Sequence, residues 1–367
     1  MKIKLAIVGI EGLPNKYGGF ETLASYLVKH LSSEWDITVY CSSVDLSTRD
    51  AFYEGAHLKY LPLSSHGWQG VFYDIRSLRD ALSNNEVVLF LGFGAGIYFP
   101  FISKKDQAKI VLNFGGLDWQ RSKWNFLTRK LIQFFEALMV KNVNWVIADN
   151  KKIASYIESV YQIKPIEIGY GGDQVVKIQA TEEWRTEYPF LRQHYTCAVC
   201  RIQPDNNIEL ILNAFSNIDY PLVMIGNWSS SPFGQKCKEK YSTFTNLYLL
   251  DAIYDAGKLN MIRSNCSIYV HGHSAGGTNP SLIEAMHLGL NIFAYQSGYN
   301  EITTDHLANY FKTGEELTEL VRNFREQDFQ ERRNKMQSYA KQHYTWSNVA
   351  ASYKELFLNV YHQQNGA

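Results

Sequence analysis

Twice along this chain, short apolar runs alternate with stretches of helical spacing, and that repeated alternation restricts the fold more than any other feature. In the first half IKLAIVGI, DITVYCSS, HLKYLPL, EVVLFLG, KIVLNF and WVIADN read as strands. FETLASYLVKHLSS and a segment near Tyr73 to Leu82 read as helices between them. Strands joined through helices cannot pair by tight hairpins, so they line up parallel with helices on both faces. The rhythm fades after KPIEIGYGGDQ, through a polar, aromatic-dotted stretch near Thr181 to His194. It restarts with YTCAVCRI, ELILNAF, PLVMIGN, NLYLLDA, CSIYVHG, SLIEAMHLG and LNIFAYQ, which predicts a second parallel sheet.

A chain of 367 residues is long for one core and short for three. We therefore expect an α/β protein with domains over 1–173 and 174–345. The closing segment WSNVAASYKELFLNVY, with Ser347 as N-cap, is expected to give a helix over 346–367 that packs back on the first domain.

Lys plus Arg balance Asp plus Glu at 36 each, which argues against a nucleic-acid partner that would need a basic face. No window approaches the roughly 20 apolar residues of a membrane helix. The apolar N-terminal stretch is only about five residues long and lacks a small-residue cleavage site, so it reads as a strand and the protein is expected in the cytoplasm. Of five cysteines, only Cys197 and Cys200 have CxxC spacing. One pair cannot close a tetrahedral zinc site, and TCAVC reads as a buried strand carrying reduced thiols. His271 and His273 lack a third ligand at useful spacing, so no metal is expected.

Three strand-to-helix turns carry the candidate chemistry. GIEGLPNKYGGFET holds Gly9, Gly12, Gly18 and Gly19 before a helix, a place where backbone amides can approach an anion, although a simple turn fits too and GxGxxG is absent. HGHSAGGTNPSLIEAMHLG leads into a helix expected to start near Pro280, with amides from Gly276 to Ser281 aimed at a diphosphate and Glu284 in the first turns. Glu284 reads either as an acceptor for ribose hydroxyls or as a solvated helix-start carboxylate. CRIQPDNNIELIL places Arg201 after a strand, as a fork for diphosphate oxygens or as an ordinary surface ion pair.

GIEGLPNKYGGFE, NFGGLDWQRSKWN, RIQPDNNIELIL and GHSAGGTNPSLIEAM, in this order, resemble the retaining family 4 glycosyltransferases, and within them the bacterial rhamnosyltransferase-like branch of capsule and O-antigen assembly. The resemblance spans nearly the whole chain. It implies a GT-B fold of two Rossmann-like domains, the first binding acceptor and the second a nucleotide-sugar. It further implies retention, no cofactor beyond the nucleoside-diphosphate sugar as co-substrate, and transfer of L-rhamnose from a dTDP-linked donor to a saccharide acceptor carried on lipid. Donor contacts are expected from Gly18, Gly19, Arg201, Asn206, Gly276, Gly277, Thr278, Asn279 and Glu284, and catalytic roles from Asp118, Arg201 and Glu284.

The chain departs from the family pattern twice. The usual pair of glutamates eight positions apart keeps its second member, Glu284, but has Gly276 at the first. The usual Lys five residues after the diphosphate Arg is Asn206. Asp118, where many members carry a His or an acid, is expected to orient the acceptor, with an N-cap role for the following helix as the alternative. The segment near Trp119 to Val140 mixes Arg121, Lys123, Arg129 and Lys130 with Trp124, Phe126, Leu127, Leu131, Phe134, Phe135 and Leu138. It fits contact with anionic headgroups on the inner face of the plasma membrane, and equally a core helix with a basic outer face. A UDP- or GDP-sugar transferase, a nucleotide-sugar epimerase and a non-catalytic nucleotide-sugar binder also remain open.

Overall fold

The structure is a computed structural model that describes residues 2–14, 18–121 and 124–366. It divides into two compact units, one of Met1–Trp119, Trp124–Tyr170 and Trp346–Ala367, the other of Gln120–Lys123 and Gly171–Thr345.

The first unit carries strands β1 Lys4–Val8, β2 Asp36–Ser42, β3 Phe52–Tyr53, β4 Ala56–Leu61, β5 Val87–Leu91, β6 Ile110–Asn113, β7 Trp145–Ala148 and β8 Ile166–Glu167. They form one sheet in the order β3-β4-β2-β1-β5-β6-β7-β8. Among the described residues only the β3–β4 pair is antiparallel, a short hairpin that its two-residue apolar signal did not announce. Leu5 to Val8 and Val87 to Leu91 are fully buried, because helices cover both faces of a parallel sheet and leave its central strands no wet side.

The closing helix runs Trp346–Asn365 within this unit. Its start corrects the expected cap: Ser347 lies inside the first turn, because the helix already begins at Trp346. The Trp346 ring is buried and stacks on Tyr26 at 4.2 Å. Trp35 meets Phe357 edge-on, and Tyr353, fully buried, receives a hydrogen bond from Asn113 at 2.9 Å.

The second unit carries β9 Thr196–Val199, β10 Leu222–Ile225, β11 Leu247–Leu250, β12 Ile268–His271, β13 Ile292–Tyr295 and β14 Asn309–Phe311, all parallel, in the order β11-β10-β9-β12-β13-β14. Successive residues feed opposite cores. Cys197, Val223, Ile225 and Tyr269 pack on one side, and Ala198, Leu222, Met224, Ile268 and Val270 on the other, as the two-residue period of a strand requires. Cys197 and Cys200 are free thiols pushed up to about 12 by burial.

In each sheet the chain reverses its direction of travel once, between β1 and β5 and between β9 and β12. Loops leaving the carboxyl ends of strands diverge at such a point and open a crevice for ligands.

Candidate donor site of the second unit

The turn after β9 and the loop after β12 meet at this reversal point and are latched together. Asn207 Nδ2 donates to the Gly272 carbonyl at 2.8 Å, and the Ser274 N–H and hydroxyl both donate to the Asp205 carbonyl, at 2.9 and 2.8 Å. Asn206 lies between the two loops. Its Nδ2 donates to the Arg201 carbonyl at 2.6 Å, and its Oδ1 sits 2.8 Å from His273 Nδ1. Asn206 is therefore buried with both amide ends engaged inside the protein, so it shapes the turn that presents Arg201.

Arg201 itself is exposed, and among the described residues its guanidinium forms no ion pair. The surface-pair alternative thus has no partner in this structure. Nearby, Arg121 Nε lies 3.8 Å from Asp205 Oδ2, both residues being buried. Arg201, Arg121 and Asp205 together give this corner a net charge of +1.

The loop Gly276 to Asn279 enters the helix Pro280–His287, which starts where the sequence placed it. Asn279 Oδ1 caps this helix, accepting from Ser281 N–H at 3.0 Å and from its hydroxyl at 2.8 Å. The Ser281 amide, expected to point at a diphosphate, is thereby already taken. Glu284 is no freely solvated helix-start carboxylate. One oxygen accepts from Gln174 Nε2 at 2.6 Å, and the other pairs with Arg263 of the helix Ala256–Ser264. The Arg263 side chain is only 3% exposed and also donates to Asn260 at 2.9 Å. A carboxylate offers about four lone-pair directions, so two remain for a ligand's hydroxyls.

His271 and His273 stand 5.9 Å apart, ring centre to ring centre. Burial, and then the positive charges of Arg121 and Arg201, hold His273 down to about 3, so its ring is neutral at pH 7. Among the described residues no group of three or more His, Cys, Asp or Glu comes together to hold a metal.

In the first unit the glycine turn is arranged differently from expectation. Gly9 has φ +87°, and a Cβ there would lie 2.1 Å from the Leu91 carbonyl oxygen, so glycine is needed for β1 and β5 to part. At the start of the helix Gly19–Leu31 stands the carboxyl of Glu21, which accepts the Glu11 N–H at 3.2 Å and lies against Gly18. An anion at Gly18 and Gly19 would stand close to that carboxyl. Residues 15–17 of the motif lie outside the described residues.

Asp118 begins a short 3-10 turn, Asp118–Gln120, and is partly exposed. It does not cap the following helix, which runs Phe126–Val140 and is capped by Asn125 through the Thr128 N–H at 2.9 Å. Sequence reasoning passed over Asp74, on the helix Gly67–Asn84, whose carboxyl is pushed up to about 8 by burial and has no hydrogen-bond partner among the described residues. It lies against Gly94 beside the first unit's reversal point, and its neighbour Tyr73 donates to the Ile10 carbonyl at 2.9 Å. A signal existed: Asp74 is four residues from Gly70 and from Leu78, on the buried face of that helix.

Two parallel-sheet units of Rossmann type, each with one reversal point, define the GT-B class of fold. Solved structures agree. Sucrose-phosphate synthase from Thermosynechococcus elongatus is 13% identical with a TM-score of 0.80, covering 99% of this chain and 100% of that one. Anabaena HepE in complex with UDP-glucose is 11% identical with a TM-score of 0.72, covering 97% and 100%. The α,α-trehalose 6-phosphate synthase from Burkholderia multivorans is 10% identical with a TM-score of 0.73, covering 98% and 97%. By sequence, residues 180–343 match the family Glycosyl transferases group 1, and residues 2–173 match a domain of unknown function, DUF1972. No curated protein matches the sequence. The chain thus has a GT-B fold, and the part of its second unit over residues 180–343 is similar to the glycosyl transferases group 1.

Proposed function

We propose that the protein is a retaining, metal-independent glycosyltransferase that holds a nucleoside-diphosphate sugar in its second unit. The observation that carries this reading is Arg201, an exposed guanidinium without an ion pair among the described residues, at the β9–β12 reversal point of a glycosyl transferases group 1 domain. Its fork supplies a bidentate contact to diphosphate oxygens, and the Gly276 to Thr278 loop lends backbone polarity as the leaving nucleotide gains charge. Glu284, fixed by Arg263 and Gln174, accepts hydrogen bonds from the nucleotide's sugar, from both ribose hydroxyls of a UDP- or GDP-donor or from the single 3′-hydroxyl of a dTDP-donor. Asn206, Asn279, and the Arg121–Asp205 pair shape the site without contacting the donor's reacting atoms.

The finer reading, L-rhamnose from dTDP-L-rhamnose onto a lipid-linked saccharide, rests on the motif resemblance. The solved HepE complexes hold UDP and UDP-glucose, which supports a nucleotide-sugar donor and keeps UDP-sugars in contention. Thermal-shift binding without added metal, against UDP-, GDP- and dTDP-linked sugars, decides between them, because a ligand that binds only the folded protein raises its melting temperature. A selective rise with dTDP-L-rhamnose supports the rhamnosyl reading, a larger rise with another nucleotide-sugar replaces the donor, and no rise with any of them overturns the proposal. Once a donor is known, product analysis with donor alone would expose an epimerase. Wild-type transfer by Asp118→Asn would remove Asp118 from the acceptor role.

We also propose that the first unit rests on an anionic membrane surface. The helix Phe126–Val140 turns Phe126 and Leu127 outward at 72% and 77% exposure. Its Phe135 packs against Gly96 of the 3-10 helix Gly96–Phe101, which ends on Phe101 at 78% exposure. Arg129 and Lys130 lie on the same helix, and Lys104 and Lys105 follow the 3-10 helix closely. Rings and cations side by side suit the boundary between headgroups and acyl chains. The protein is expected to float with phosphatidylglycerol vesicles and the double variant Phe126→Ser/Leu127→Ser to stay behind; a wild-type protein left in the soluble fraction sinks this part.

A further inference from the structure

His273 is 5% exposed, and its two ring nitrogens face different surroundings. Nδ1 meets Asn206 Oδ1 at 2.8 Å, and because the amide's other end donates to the Arg201 carbonyl, the oxygen is the end that faces the ring. The Nδ1 position therefore carries the proton, and Nε2 is left as a lone-pair acceptor. Nε2 has no hydrogen-bond partner among the described residues. It points at Gly276: a Cβ built there would lie 2.6 Å from it, and Gly276 has φ +137°. No side chain fits at position 276 while this ring keeps its place, so the glycine and the imidazole form one arrangement. The His273 carbonyl accepts from Asn300 Nδ2 at 2.9 Å, which anchors the backbone on the far side.

We propose that His273 Nε2 accepts a hydrogen bond from a hydroxyl of the donor's sugar, the imidazole standing in the space that a side chain at position 276 would otherwise fill. The chemistry selects this partner. A bare lone pair repels phosphate oxygens, which are acceptors too, so the ligand group must bring a hydrogen. Ribose hydroxyls are given to Glu284 above, and the transferred sugar is the other hydroxyl-bearing part of a nucleotide-sugar. Because the ring stays neutral throughout the physiological range, the contact holds without a charge change. Asn206 acts through the ring as a positioning residue, setting which nitrogen is protonated.

This inference rests on the donor reading and is tested separately from it by comparing affinities for UDP with UDP-glucose, and for dTDP with dTDP-L-rhamnose, by titration calorimetry. In His273→Asn the side-chain amide takes the place of Nδ1, keeping the contact to Asn206 while removing Nε2. In His273→Gln the terminal amide reaches the place of Nε2 and restores an acceptor. We expect His273→Asn to weaken the nucleotide-sugar about tenfold and leave the bare nucleoside diphosphate unchanged, with His273→Gln within about threefold of wild type for both. Equal losses for sugar-bearing and bare nucleotide in His273→Asn, or no loss for either, would overturn the contact. Wild-type protein that binds none of the four probes, and neither GDP nor a GDP-linked sugar, would overturn the donor reading itself.

Discussion

Arg201→Ala is expected to lower turnover about a hundredfold. In the metal-independent reaction proposed above, the charge that develops on the departing diphosphate would be met by protein groups already in place. Removing one such donor typically costs on the order of 3 kcal/mol in the transition state. Arg201 is the exposed cation of the β9 turn, whereas Arg121 lies buried near Asp205 and Arg263 is spent on Glu284. Arg201→Lys keeps the charge and loses the planar fork, so it should recover only part of the rate. Initial rates at saturating acceptor, with the donor identified by thermal shift, make the comparison. Near-wild-type turnover in Arg201→Ala would show that the diphosphate is held elsewhere.

The largest effect on stability is expected at Arg263. Its guanidinium is buried against the Glu284 carboxylate, and deleting one partner of such a pair leaves a charge without compensation, at a cost of about 3–5 kcal/mol. For a unit of this size Arg263→Ala should lower the melting temperature of the second unit by on the order of 10 °C. The double variant Arg263→Met/Glu284→Gln, which removes both charges together, should recover much of that loss, because the penalty arises from the unpaired partner. A drop of only a degree or two in Arg263→Ala would mean that solvent reaches the pair. A second readout tests the ribose contact proposed for Glu284: with stability restored, the double variant should still bind nucleotide weakly if that contact needs a charged carboxylate.

The alternation of apolar runs determined the two parallel sheets, because a strand buried on both faces must be apolar along its length and a helix between strands must be amphipathic. The turn signals were legible for the same local reason. Pro280 at a first helical position and glycines at the parting strands follow from what each residue's own backbone permits. The sequence likewise placed Arg201 at a strand end, since strand and turn are neighbours along the chain.

The partners of these residues were decided by the tertiary structure alone. Arg263 and Glu284 are 21 positions apart, and His273 and Asn206 are 67 apart. Neither separation carries a periodic signal: His273 meets Asn206 because β12 lies beside β9, and Arg263 meets Glu284 because the helices before and after β12 share one core. The same holds for Glu21, whose carboxyl occupies a glycine turn that reads as an anion site in isolation. Composition and spacing determine which elements form and where their ends are polar. Which ends share a crevice, and which charges are already matched inside it, depends on strand order, and strand order follows from how whole layers bury their apolar faces.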